Sequence, residues 1–161
     1  GSDPRAHSAS AALPVLLYRQ AVTFQSSDPA RDIEALFTGN GWTDTWRNGI
    51  FDFHHYHSRG HEVLGVAAGS ARLTLGGPGG GGIDVTAGDV LVLPAGTGHR
   101  RIGASGDFLV VGGYPPGQEG DICRPLAAPE QRRRIAALPL PATAPVLGKD
   151  GLTRLWKNVS P

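Results

Sequence analysis

Four residues in the central third of the chain could together bind a metal ion. His55 and His57 lie two positions apart, Glu62 follows shortly after them, and His99 comes from a separate block of sequence. Three neutral imidazoles and one carboxylate suit divalent zinc, iron, manganese, nickel or copper. An ion that accepts about five or six ligands would keep a position for water, oxygen or substrate. The residue types therefore predict a centre for one divalent transition metal.

The spacing of three of these residues suits a β-hairpin. Residues two apart in a strand share a face, so we expect His55 and His57 to point the same way. If Arg59-Gly60 forms a two-residue turn, His57 lies opposite Glu62, with β-carbons about 5 Å apart. A third imidazole from a distant strand, His99, would then complete an enclosed site.

Two further histidines and two arginines lie close to these four residues in the sequence. By strand alternation His54 and His61 fall on the opposite face, where hydrogen-bonded surface or interface histidines are expected rather than ligands. Arg101 shares the parity of His99 and is a candidate for holding an anionic substrate group bidentately, whereas Arg100 would face outwards.

Aromatic residues are expected to shape the pocket around the metal. Phe51 and Phe53 share the parity of His55 and are expected to form an apolar wall. Trp46 and Tyr114 are candidates for closing the mouth of the pocket.

Short apolar runs separated by glycine, proline and polar breaks predict an all-β scaffold. Seven such runs at this spacing are typical of a sandwich or barrel. The glycine-rich stretch Gly76–Gly82 lacks the ending of a phosphate-binding loop and is predicted to be a hairpin tip. The predicted strands are Ile50–His57, Glu62–Val66, Ala71–Leu75, Ile83–Val85, Val90–Leu93, His99–Ile102 and Phe108–Val111.

The flanks of this scaffold carry other signals. Leu13–Arg19, with a proline near its start, suits an edge strand. Asp28 can cap a helix that ends at Gly39 and lies against the outside of a sheet. Pro129–Leu138 is predicted to be a second short helix, and Leu138–Pro145 must be extended because of its prolines. The tail, ending at Leu155-Trp156, is expected to wrap the barrel or a partner subunit.

Bulk composition narrows the class of protein. A length of 161 residues suits one domain, and a formal charge of +1 gives no argument for nucleic acid or an anionic membrane as partner. The single cysteine, Cys123, excludes an internal disulfide. No apolar run approaches the length of a membrane span. Residues 1–12 are expected to be a disordered or cloning-derived start, and the cytoplasm is the expected compartment.

Two sequence blocks resemble the paired motifs of the cupin superfamily. The family pattern is G-x5-HxH-x3/4-E-x6-G, followed by G-x5-PxG-x2-H-x3-N. The first block matches from Gly49 to Gly69, and the second matches from Gly88 to His99. Gly103 stands where the family often has asparagine, which affects only local turn structure. The flanks, including the Leu-Thr-Arg-Leu-Trp tail, resemble a small group of bacterial single-domain cupins.

The resemblance implies a fold and a ligand set. The fold would be a double-stranded β-helix, or jelly-roll barrel, with short flanking helices. The domain is expected to span residues 13–161, with a barrel core at about 43–115 and a C-terminal helix and tail at 116–161. Since cupins commonly pair through sheet edges, a homodimer is expected. The metal ligands implied are His55, His57, Glu62 and His99.

The leading functional hypothesis is a metal-dependent enzyme acting on a small molecule. With Fe(II) it could be a dioxygenase, and with Mn, Zn or Ni an isomerase. Glu62 is a candidate base and Arg101 a candidate substrate anchor. The alternative is a binding or sensing cupin that does not turn its ligand over, although no helix-turn-helix pattern is present. A metal-free sugar epimerase is disfavoured because it would not need a complete ligand set.

Overall fold

The computed structural model describes residues 13–148 and residue 156 of the chain. These residues form eight strands and two helices. The strands are β1 (Leu16–Tyr18), β2 (Thr43–Asn48), β3 (Glu62–Ala68), β4 (Ser70–Leu75), β5 (Gly81–Thr86), β6 (Val90–Leu93), β7 (His99–Ala104) and β8 (Leu109–Tyr114). The helices are α1 (Pro29–Gly39) and α2 (Pro129–Ala137). No helix in the described ranges is long and apolar enough to cross a membrane.

The strands form two antiparallel sheets. The larger sheet has the order β1-β6-β3-β8-β2, and the smaller has the order β5-β4-β7. β3 lies at the centre of the larger sheet and pairs with β6 on one side and β8 on the other. This all-β arrangement confirms the predicted double-stranded β-helix fold with short flanking helices.

The space between the two sheets is filled by apolar side chains. Leu64 and Val66 of β3 pack there against Leu73 of β4 and Val85 of β5. Glu62 has the same strand parity as Leu64, so its side chain enters the same space at the end of the apolar layer. The inner face of β3 thus aims a carboxylate into the barrel.

The opposite face of the larger sheet is covered as well. Asp28 caps the N-terminus of helix α1, where its side chain accepts a hydrogen bond from the amide of Arg31. Ile33 and Phe37 of this helix are fully buried. These side chains pack with Trp42, Val63, Trp156 and other residues in a second apolar cluster. A Cβ on Gly65 would lie 2.7 Å from Ile33, which shows how closely the helix approaches β3. Both faces of β3 are therefore buried.

The predicted edge strand and the two predicted flanking helices are confirmed. β1 is the edge strand of the larger sheet and pairs with β6. Helix α1 ends at Gly39, with Asn40 as its C-cap, and α2 begins at the predicted Pro129. Gly76–Gly82 lies at the β4–β5 hairpin, as predicted. The expected disordered start, 1–12, and Leu155 of the tail lie outside the described residues. The domain bounds stay a prediction.

One strand prediction is wrong, and one strand was not predicted. Ile50–His57 is not a regular strand, since only isolated bridges join His55 to His99 and Tyr56 to Cys123. The reason is that both edges of β3 are already paired, so β3 cannot form a hairpin with the preceding segment. β2, which pairs with β8, was not predicted as a strand.

Candidate metal centre

Three buried histidines converge at one end of the barrel. His55, His57 and His99 are 3%, 8% and 3% exposed, and one ring nitrogen of each lies within 4.8 Å of the others. The His55 and His99 ring centroids are 4.0 Å apart. Two ligands of a single transition-metal ion commonly lie about 3–4 Å apart, given bonds of about 2.0–2.2 Å. The cluster has the size and donor chemistry that one ion requires.

A backbone carbonyl orients each of the three imidazoles. Nδ1 of His55 donates to the carbonyl of Phe53 at 3.1 Å, and Nδ1 of His99 donates to the carbonyl of Thr97 at 3.0 Å. Nδ1 of His57 donates to the carbonyl of Asp121. Because a carbonyl oxygen only accepts, each Nδ1 must carry a proton. The Nε2 atoms are therefore the ones available as ligands, and carbonyl partners of this kind are typical of metal-binding histidines.

Glu62 adds a carboxylate to this cluster. It is 2% exposed, and its Oε1 lies 3.0 Å from Nε2 of His57 and 3.8 Å from Nε2 of His99. Burial opposes the charged imidazolium, but the Glu62 charge and hydrogen bonds to Glu62 and to the Asp121 carbonyl raise the pKa of His57 to about 9. Without a metal, His57 and Glu62 thus form a buried ion pair.

The other two histidines favour the neutral form. Burial lowers the pKa of His55, with a smaller lowering from the neighbouring His57. Burial also holds the pKa of His99 well below its usual range, and the charges of His55 and His57 add to this effect. A neutral imidazole is the form that binds a metal ion, so two of the three rings are ready to coordinate at neutral pH.

His57 and Glu62 do not meet through the hairpin that the spacing predicts. Glu62 is the first residue of β3 and pairs with Leu93 of β6. His57 lies in the irregular segment, and its carbonyl accepts a hydrogen bond from the amide of Gly96 at 2.8 Å. The two-residue turn at Arg59-Gly60 is therefore wrong, although the two side chains come together.

A strap formed by residues 118–123, between β8 and α2, holds the irregular segment in place. Asp121 accepts hydrogen bonds from the amide of Ser58 at 2.8 Å, its hydroxyl at 2.5 Å, and the amide of Arg59 at 2.9 Å. Burial works against its ionisation, but these bonds and one from the thiol of Cys123 lower the pKa of Asp121 to about 2. Cys123 exchanges two backbone hydrogen bonds with Tyr56. The strap thus fixes the backbone on both sides of His57.

The two remaining central histidines lie apart from the cluster. His61 is on the opposite face to Glu62, as strand parity predicts, but it is buried rather than at the surface. The reason is that Trp156 covers it, with ring centroids 4.9 Å apart. Its Nδ1 accepts a hydrogen bond from the amide of Ala95, and burial lowers its pKa to about 4. His54 is half-buried and lies beside Asp52 and Arg100 on the outer side of the segment.

A cavity of about 310 Å³ opens onto the histidine cluster. Both Trp46 and Tyr114 line it, and the indole of Trp46 donates a hydrogen bond of 2.9 Å to the Tyr114 hydroxyl. Burial and the charge and hydrogen bond of Glu62 raise the pKa of Tyr114. Because a Cβ on Gly112 would lie 2.1 Å from the Trp46 ring, only glycine there lets the indole lie flat against β8.

Two of the three residues that were predicted to face this cavity are in its lining. Phe51 and Arg101 line it, as parity predicts. Phe53 lies outside the cavity lining: its ring stacks on Phe51 at 4.8 Å, and the Arg124 guanidinium lies 4.1 Å from its centroid. Of the two phenylalanines that were predicted to form the apolar wall, only Phe51 is in the cavity lining.

Sequence reasoning missed the strap and the carbonyl partners of the histidines. Asp121 and Cys123 carry no motif, and they are separated from His57 by more than sixty positions. Their one sequence signal is that 117–123 follows the last strand without helical or strand periodicity. Such a segment is irregular by default, and its contacts cannot be read from pattern alone.

The all-β fold and the positions of the two motif blocks agree with the resemblance to the cupin superfamily. In this fold of two antiparallel sheets, the first motif block lies on the irregular segment and β3. The second motif block lies on the turn before β7. No family model matches the chain. It is 38% identical over 126 residues to the uncharacterized protein YjlB of Bacillus subtilis (strain 168), covering 76% of each protein. The chain therefore belongs to the same family as YjlB.

Several solved structures are similar to this chain at low sequence identity. An acireductone dioxygenase from Bacillus anthracis, with a cadmium ion in its active centre, is 13% identical with a TM-score of 0.44; 65% of this chain and 79% of that chain are covered. A DUF861 family protein from Thermotoga maritima is 13% identical with a TM-score of 0.37; the match covers 63% of this chain and 99% of that chain. Bacillus subtilis oxalate decarboxylase, with Mn(II) centres, is 23% identical with a TM-score of 0.36, and the chain spans 24% of that protein.

Proposed function

We propose that this chain is a metal-dependent enzyme that binds one divalent transition-metal ion through His55, His57, His99 and Glu62. The observation that carries the proposal is the shared orientation of three buried imidazoles, each with Nδ1 bonded to a carbonyl. One ring nitrogen of each lies within 4.8 Å of the others, beside the Glu62 carboxylate, and the Nδ1 bonds leave Nε2 of each ring as the atom that can bind an ion. The donor set suits iron, manganese, zinc, nickel or copper.

The cavity beside the cluster favours catalysis over a structural role for the ion. Structural metal sites are usually closed by protein ligands, whereas catalytic sites keep an open position. Here Glu62, His57 and His99 all line the 310 Å³ cavity. When bound, the ion would supply Lewis-acid polarisation of a carbonyl or, as Fe(II), oxygen chemistry on an enol or thiol.

The protein groups would have separate tasks in such a reaction. The three histidines hold the ion, and the carbonyls of Phe53, Thr97 and Asp121 keep their rings in one tautomer. Glu62 is a ligand first and a proton acceptor second, since its Oε1 already holds the Nε2 proton of His57 without a metal. Trp46 and Tyr114, joined by a hydrogen bond, line the same cavity as Glu62.

Metal content of purified variants tests this proposal. Elemental analysis of protein prepared without chelator or histidine tag should give about one ion per chain. His57→Ala should fall below about a tenth of that value and lose turnover, because one of three imidazoles is removed. The matched control is His54→Ala, which removes a neighbouring half-buried histidine outside the cluster. Equal stoichiometry in the two variants would contradict the ligand assignment.

Turnover separates the enzyme from a non-catalytic binding cupin. Metal-loaded protein, incubated in air with small enols, thiols and hydroxycarbonyl compounds, should consume at least one of them, as followed by mass spectrometry. His57→Ala should leave the same compound intact. A compound that binds tightly and is recovered unchanged with every candidate metal would favour the binding function instead.

A further inference from the structure

One cation in the cavity wall has no acidic partner. Arg101 is half-buried in β7 and lines the cavity. Within the described part of the chain, no carboxylate forms an ion pair with its guanidinium, and its side chain makes no hydrogen bond. Arg19, Arg47 and Arg72, by contrast, each pair with a carboxylate at 3.0 Å or less. A partly desolvated guanidinium without a partner is a binding group for an anion from solution.

The neighbouring arginine provides an internal comparison. Arg100 lies on the opposite face of β7, where its Nε donates a hydrogen bond of 2.9 Å to the carbonyl of Asp52. It does not line the cavity. Adjacent arginines on one strand therefore have different surroundings: Arg100 is bonded to the protein, while the Arg101 guanidinium faces a space that a ligand could fill.

The rest of the cavity wall fits a small molecule with an apolar body. Its apolar lining residues include Trp46, Ile50, Phe51, Leu64 and Ile122. Its volume of about 310 Å³ is at the lower end of the range for ligand pockets, about 300–1,000 Å³. Among the described residues, Arg101 is the only lysine or arginine in the lining. A phosphate ester, with two charges, usually engages several donors, so a single arginine suits a carboxylate better.

The charge of the cavity lining also favours an anionic ligand. Of the lining residues that the structure describes, Glu62 alone is acidic, and it lies at the histidine cluster. With a divalent ion in place, this carboxylate neutralises only part of the ion's charge, and Arg101 adds another positive charge. An anion would therefore be attracted into the cavity.

We propose that the substrate is a small monocarboxylate with an apolar body, and that Arg101 binds its carboxylate. The apolar body lies against Phe51 and Ile122, which directs the reacting end towards the histidine cluster. Arg101 is thus the specificity-determining residue of the site. This inference rests on the proposed metal-dependent function, which supplies the other end of the binding mode.

Calorimetric titration with matched probes tests the proposal on zinc-loaded protein. Benzoate should bind about 10- to 100-fold more tightly than the neutral benzamide, because a charge-assisted bidentate contact is lost with the amide. Arg101→Gln should remove this preference while the affinity for benzamide stays unchanged. Arg100→Gln is the matched control and should keep the preference. Near-ultraviolet circular dichroism and thermal midpoints show whether each variant is folded.

Each other outcome has a defined meaning. A preference for benzoate that survives in Arg101→Gln would overturn the proposal, since the carboxylate would then be bound elsewhere, for example by the ion. Phenylphosphonate binding more than about tenfold tighter than benzoate would overturn the carboxylate class. Absence of benzoate binding at millimolar concentration would also overturn it. If the wild-type protein takes up no zinc, the proposed function fails, while the benzoate-to-benzamide ratio in metal-free protein still decides the role of Arg101.

Discussion

The two motif blocks position their histidines by different means. In the second block, the turn before β7 is closed by a hydrogen bond from the Thr97 amide to the Pro94 carbonyl, and His99 begins a regular strand. Its Nδ1 bonds to a carbonyl only two residues away. In the first block, His57 lies on an irregular segment, and its Nδ1 partner is Asp121, far along the chain. His99 is thus oriented locally, and His57 depends on the strap.

His55 has a local Nδ1 partner, but its backbone is held by a residue distant in sequence. Its Nδ1 uses a local carbonyl, as in His99, but its backbone is held by two hydrogen bonds with His99. Histidines that a sequence motif presents as equivalent ligands can therefore be oriented by different kinds of contact. Perturbing the strap should therefore affect His57 and leave His55 and His99 in place.

The pH dependence of metal affinity should expose the special state of His57. Because Glu62 raises the pKa of His57 to about 9, a proton must leave Nε2 before an ion can bind there. The apparent affinity should weaken about tenfold per pH unit below about pH 9, and so about 100-fold from pH 9 to pH 7. Zinc titration with a competing chelator at several pH values measures this. A flat profile over the range would show that the ion pair does not exist.

The second block was predicted more accurately than the first, and the reason is physical. β6 (Val90–Leu93) has the predicted bounds because its buried run is short and is ended by Pro94 and the following turn. The all-β fold followed from many such runs. Ile50–His57 was mispredicted because its alternating pattern fits a strand, while both edges of β3 were already taken. The choice of pairing partner is a tertiary effect that local pattern cannot resolve.

The four candidate ligands were named from residue type and motif spacing, but their supports were not. The carbonyls of Phe53 and Thr97 act through backbone geometry, which leaves no trace in residue type. The strap contacts arise from chain packing between segments more than fifty positions apart. Residue chemistry can therefore suggest which groups bind an ion, whereas the forces that orient them appear only in the folded structure.

Replacing Asp121 should weaken the support that the strap gives to His57. Asp121→Ala removes four hydrogen bonds to its side chain, so we expect a loss of about 2 kcal/mol in the free energy of unfolding. Metal affinity should fall about 10- to 100-fold, as for other groups that support a ligand. Asp107→Ala is the control, since that exposed carboxylate bonds only to the Ser105 hydroxyl. Equal effects in the two variants would show that the strap does not support the site.

The contribution of Asp121 to the free energy of unfolding should decrease at acid pH. The native pKa of Asp121, about 2, lies below the unfolded value of about 3.9. Ionised Asp121 therefore stabilises the fold above about pH 4, and this stability is lost as the pH falls through about 2. The difference in unfolding free energy between wild type and Asp121→Asn should shrink over that interval. A difference that is independent of pH would contradict the assignment.

A pair of glycine substitutions should give the smallest effects on metal affinity and a clear contrast in stability. A Cβ on Gly60 would lie 2.7 Å from the Glu119 carbonyl, so Gly60→Ala must push the strap outwards. We expect a loss of about 1–3 kcal/mol in stability and a several-fold weaker metal affinity. A Cβ on Gly49 meets no heavy atom within 4 Å, so Gly49→Ala should change stability by less than about 0.5 kcal/mol. Chemical denaturation of both variants measures the contrast.

The most direct test of the account is the position of the ion in a crystal of the metal-loaded protein. An anomalous difference map should show one peak about 2.0–2.2 Å from Nε2 of His55, His57 and His99 and from a carboxylate oxygen of Glu62. Each Nδ1 should still face its backbone carbonyl. A peak at any other place, or an Nε2 of His99 beyond bonding reach of the ion, would contradict the central claim that barrel closure gathers these four residues around one cation.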